Sequence, residues 1–185
     1  MKFKPKNKTE LSQLMETLIE ERGNRGNFND IDTSLITDMS GLFLESDFNG
    51  DLSSWNVSNV IDMDSMFNGA TSFDQDLSSW NVSNVSNMYG MFYGATSFNQ
   101  DLSDWDVSNV TDMNSMFYGT TSFNGDLSSW DVSNVIDMAE MFWGATSFDQ
   151  YLSSWNVSNV KEMEFWLEGT PIKDKAKTWF PECYI

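Results

Sequence analysis

The sequence has no histidine and a single cysteine, Cys183, among its 185 residues. Without imidazole there is no histidine general base and no Ser-His triad. One cysteine cannot close a disulfide within the chain, and zinc sites built from His and Cys are excluded. Basic charge is equally scarce where it matters. The ten Lys and Arg fall in the first 25 and last 25 positions, and the 135 residues 26–160 hold none against 19 Asp or Glu. With a net charge of -18 the chain repels phosphate, so a nucleic-acid partner is not expected. No apolar run approaches the roughly 20 residues of a membrane span. The start, MKFKPKNKTELSQ, has no apolar segment behind its lysines and does not read as a signal peptide.

What is there is a repeat. FNGDLSSWNVSNVIDMDSMFNGATS begins at Phe48 and recurs from Phe73, Phe98, Phe123 and Phe148 with a period of 25 and no insertion. Tryptophan returns at Trp55, Trp80, Trp105, Trp130 and Trp155, and asparagine at Asn59, Asn84, Asn109, Asn134 and Asn159. A shorter copy from Gly26 precedes them, with Ile31 in the tryptophan place. One unit cannot bury an apolar face alone, whereas stacked units bury a continuous one. The expected fold is an α/β solenoid, each coil a short parallel β-strand and a short helix. Residues 51–55, followed by Val57, read as the extended segment. In 58–67 Ser58 reads as a helix cap, and Val60, Met63, Met66 and Phe67 share one helical face.

The ends read as caps. A helix is expected over 9–21, with Leu11, Leu14, Met15, Leu18 and Ile19 on one stripe and Asn7 with Glu10 as a capping box. At the far end Ile172, Trp179, Phe180 and Tyr184 supply apolar cover. The chain divides into an N-terminal cap, 1–25, a degenerate repeat, 26–47, five full repeats, 48–172, and a C-terminal cap, 173–185. With both edges capped, a monomer is expected.

The tryptophan, phenylalanine and asparagine columns read as structural ladders, the asparagines bonding backbone within each turn. Two acidic columns, Asp51-Asp76-Asp101-Asp126 and Asp62-Asp112-Asp137, have three readings: carboxylates on backbone amides, calcium between coils, or capture of a basic partner. Positions that differ between coils are where a binding surface can be encoded. Tyr89, Tyr93, Tyr118 and Trp143 occupy two such columns and form the candidate surface, an aromatic strip for a protein or carbohydrate ligand. Acids that repeat in every coil lack the unlike environments of a catalytic pair, so an enzyme is not expected.

The units FNQDLSDWDVSNVTDMNSMFYGTTS and FNGDLSSWDVSNVIDMAEMFWGATS resemble a bacterial surface-protein repeat of 25 or 26 residues. It is a domain of unknown function found in mycoplasma lipoproteins and Listeria-type surface proteins, similar to a variant leucine-rich repeat. The resemblance implies a non-enzymatic module at the cell surface or outside the cell, used for adhesion or host interaction. The alternative is a structural spacer or antigenic coat module without a specific ligand. Because the chain shows no secretion signal, a cytoplasmic location is the other reading of its place.

Overall fold

The computed structural model describes residues 3–181. The coils stack at the expected period, but they are not built from strands and helices. Among the described residues there are two helices, α1 (Lys8–Arg22) and α2 (Lys173–Trp179), one at each end. No strand forms. Isolated parallel bridges link Asp38, Asp62, Asn87, Asp112, Asp137 and Glu162 from coil to coil. The expected α/β, leucine-rich-repeat-like architecture is therefore overturned.

Tight turns replace it. Within one coil the N–H of Trp55 donates to the Leu52 carbonyl, Val60 to Val57, Met66 to Met63, Ala70 to Phe67 and Phe73 to Ala70, at 2.9–3.2 Å. Each bond spans three residues. A succession of such turns brings i and i+3 to the same side, as a helix does, which is why the apolar spacing of 58–67 imitates one. Two forces keep the helix from forming. Asx side chains capture amides two residues on: Asp51 accepts from Ser53 at 3.0 Å, Asn56 from Ser58 at 3.1 Å, Asp62 from Asp64 at 2.9 Å. Ser65 then turns left-handed, with φ 54°, as do Gly90, Ser115, Glu140 and Phe165.

The left-handed residues send alternate amides out of the coil. Met63, Ser65, Phe67 and Gly69 donate to Asn87, Tyr89, Met91 and Tyr93 of the next coil at 2.7–3.0 Å. The same four bonds recur at every junction from 39–45 onward. One peptide unit serves both neighbours: the Asp62 carbonyl accepts from Met39 while the adjoining N–H of Met63 donates to Asn87. Four files of aligned peptides thus run along the stack, with N–H toward the C-terminal end.

The core lies inside the turns. Two phenylalanine columns interleave: Phe67 stacks on Phe92 at 5.6 Å between ring centroids, Phe73 on Phe98 at 6.0 Å, and Phe67 on Phe73 at 3.9 Å. The tryptophans of the ladder are 3–5% exposed. Burial of this kind contributes about 1.5–3 kcal/mol per large side chain before entropy is charged.

At the N-terminal end α1 begins as expected, with the Asn7 side chain accepting from Glu10 N–H at 3.0 Å and Glu10 accepting in return from Lys6 N–H at 2.9 Å. It buries Leu11, Met15 and Leu18. Its flanks are tied to the first coil by Phe3 pairing with Ile31, Lys8 with Ser40 and Arg22 with Asp30. At the other end α2 buries Ala176, flanked by buried Ile172 and Phe180. Tyr184 and Cys183 lie outside the described residues.

Candidate binding surface

The ladder residues are held by bonds between coils. Trp80, Trp105, Trp130 and Trp155 each donate Nε1 to a leucine carbonyl of the preceding coil, at 2.9–3.2 Å. Asn84, Asn109, Asn134 and Asn159 donate Nδ2 to serine carbonyls of the preceding coil at 2.7 Å, and Asn59 does so to Ser34 at 2.9 Å. These asparagines are exposed, and they staple neighbouring coils rather than the turn of their own. Phe73, Phe98, Phe123 and Phe148 are fully buried.

The acidic columns are occupied by backbone. Asp101 accepts from Ser103 N–H and Asp126 from Ser128 N–H, both at 2.9 Å. These amides, helped by the serine hydroxyls, hold both carboxyls below the ordinary aspartate range. Asp112 differs. Burial pushes its pKa up, and Asp137 and Asp64 add to this against the Asn114 amide. Among the described residues no group of three or more metal-ligating side chains is placed to hold an ion.

One of the two variable columns, that of Tyr93, Tyr118 and Trp143, forms a row of ring contacts. The Tyr93 and Tyr118 rings stack at 4.4 Å with an 8° tilt, and Trp143 meets Tyr118 at 4.6 Å and 90°. Tyr93 and Trp143 remain 36% and 38% exposed. Burial, then Tyr93, then Glu140 raise the Tyr118 phenol above its usual pKa. Tyr89 is exposed but stands in the neighbouring column with Asp64 and Asn114, and among the described residues it stacks on none of the other three.

Two features escaped sequence reasoning. Tyr151, at 65% exposure, packs on Trp179 of α2 at 4.9 Å. Its signal was present, since it replaces the aspartate of its column. Along another face, exposed Leu35, Ile61 and Ile136 lie beside the asparagine ladder and line shallow grooves with Thr37, Thr111 and Lys161. The variability of column 61 (Ile61, Ser86, Thr111, Ile136, Lys161) was the available clue.

The geometry defines a repeat protein of turn-only coils, carrying one row of contacting aromatics on an anionic body. The chain belongs to the family described as "Mycoplasma protein of unknown function, DUF285", whose model matches residues 9–110 and again 87–179. The two overlapping matches span the coils and part of both caps, as expected where one repeat register fits an array twice. No curated protein and no solved structure matches the chain. No helix among the described residues is long and apolar enough to cross a membrane.

Proposed function

We propose that the chain is a non-enzymatic scaffold that binds a protein ligand through Tyr93, Tyr118 and Trp143. The observation that carries this reading is the stack itself. The rings of Tyr93 and Tyr118, in successive coils, lie nearly parallel and face to face. One face of each ring is covered by the other, and Trp143 stands edge-on to Tyr118. Such a surface suits polypeptide contact better than sugar, which needs an open ring face. The acidic body around it favours a basic partner and speeds encounter with one. The likeness of the units to repeats of mycoplasma lipoproteins and Listeria-type surface proteins supports a place at the cell surface, in adhesion or host interaction.

The test is a binding screen of the purified chain against immobilised matrix proteins and glycans at physiological salt, with an equally acidic protein as control. Saturable protein binding that is lost in Y93A/Y118A/W143A supports the reading. Binding shared with the control reduces it to charge. Binding to glycans alone moves the ligand class, and an empty panel favours the spacer or coat module.

A further inference from the structure

The last coil breaks off a pattern that every earlier coil completes. The amides of Met163, Phe165, Leu167 and Gly169 are the equivalents of Met138, Glu140, Phe142 and Gly144, whose four N–H groups all donate to the next coil at 2.7–2.8 Å. Among the described residues the terminal four have no acceptor. Two turn bonds of the same coil remain, Glu168 N–H to Phe165 and Thr170 N–H to Leu167, whereas the Met141-to-Met138 bond of the coil before has no counterpart from Trp166 to Met163. Phe165 keeps the left-handed φ of its column, 55°.

The C-terminal cap covers the core and leaves this row open. Phe165 is 65% exposed, whereas Ser115 in the same column is 4% exposed. Met163, Val157 and Val160 are half-buried where Met138, Val132 and Val135 are buried. A hollow beside the row is lined by Met163, Phe165, Leu167 and Lys173. Trp166, whose backbone belongs to the row, has a buried Nε1 that finds no partner among the described residues.

We propose that the edge at 163–169 docks an extended polypeptide segment of another molecule, one that offers carbonyls at alternate residues and carries lysine or arginine beside them. The acceptor chemistry is that of every junction inside the molecule. The side-chain chemistry follows from Glu162 and Glu164, both exposed and flanking the first two donors. They repel a bare anion that the N–H row would otherwise attract, and they select a cationic chain. A second copy of this chain does not fit. Joined tail to tail, donors would face donors. Joined head to tail, the row would have to reach the carbonyls of Asp38, Ser40, Leu42 and Leu44 at an end where α1 stands over the first coil, with Lys8 bonded to Ser40.

The experiment follows backbone amide resonances of the full chain during titration with a synthetic peptide. The peptide has the sequence of residues 136–144 with D137K and A139K, which place lysines over Glu162 and Glu164 in the register of the coils. Saturable shifts at Met163, Phe165, Leu167 and Gly169, at least tenfold weaker in affinity for E162K/E164K, are expected. Absence of shifts at these amides would overturn the proposal and leave the glutamates as guards against edge-to-edge aggregation. Equal shifts with the unmodified acidic peptide, or with inorganic phosphate, would also overturn it. So would movement of the same amides when the chain is ended at Pro181, because its own last residues would then be the occupant. These amides are remote in sequence from Tyr93, Tyr118 and Trp143, so either surface can fail without the other.

Discussion

The indole Nε1 of Trp105 donates to the carbonyl oxygen of Leu77, 3.1 Å away in the preceding coil. The ring fills the core at 3% exposure, and its polar edge adds a second bond to a carbonyl that already accepts the Trp80 N–H of its own turn at 3.0 Å. Trp105→Ala should therefore cost about 3–5 kcal/mol, as large core truncations do. Trp105→Phe should cost less, about 0.5–1.5 kcal/mol, because it keeps most of the packing and removes only one of the two bonds to the Leu77 carbonyl. Urea unfolding midpoints of the three proteins check the order. Equal midpoints would mean that neither packing nor the bond matters there.

Gly50 should resist conversion to the residue its own repeat uses. Gln75, Gln100 and Gln150 occupy the same column, yet a Cβ at Gly50 would lie 2.5 Å from the Phe28 ring and 2.6 Å from Phe48. Phe28 stands where later coils have leucine, and its extra bulk takes the space. Gly50→Gln is expected to destabilise by about 1–3 kcal/mol, as overpacking does. Phe28→Leu in the same chain should recover part of that loss. A double-mutant cycle in thermal unfolding reads the coupling, and additivity would refute the clash.

Acid should weaken the stack from a defined set of aspartates. Asp101, Asp126 and Asp131 have folded pKa values below the unfolded value of 3.8 because serine amides and hydroxyls hold their charged forms. Their contribution is complete above that value and is lost as pH falls through the lower folded values. Asn81 and Asn156 make the same turn bond without charge, at 3.1 and 3.2 Å. D101N/D126N/D131N should thus keep its neutral-pH Tm and lose less of it in acid. A Tm–pH curve parallel to that of the parent would sink the assignment.

Asp112 has the opposite sign. Its raised folded pKa means that it opposes folding once pH exceeds the unfolded value. Asp112→Asn, the residue already present at Asn87 in that column, is expected to raise Tm at neutral pH and to change it little at pH 3. A lower neutral Tm would show that the carboxylate holds the turn better than an amide.

Salt should stabilise the protein without regard to cation identity. The coils carry clustered negative charge, and the carboxylates of the Asp51 and Asp62 columns already serve backbone amides. Sodium chloride and calcium chloride at matched ionic strength should raise Tm alike. A further rise with calcium, reversed by chelator, would reveal a bound ion.

The sequence alone determined the period, the number of coils, the inward columns and the helical N-terminal cap. A 25-residue unit with Trp, Phe, Leu, Val and Met at fixed places can bury them in one way only, by stacking on its neighbours. The columns that vary also pointed to Tyr93, Tyr118 and Trp143, because a row of side chains shared by successive coils must meet along the stack. Only the tertiary structure decided what a coil is made of. Serial three-residue turns and a short helix place Val60, Met63 and Phe67 on the same side, so apolar spacing cannot separate them. The choice rests on where alternate amides find their acceptors, and those acceptors, Asn87, Tyr89, Met91 and Tyr93 for the second coil, lie a full coil away. The same non-local bonding left the row at 163–169 open. The departure of 161–167 from the repeat marks a changed coil, but not an open row, because whether those amides find acceptors depends on residues outside the segment.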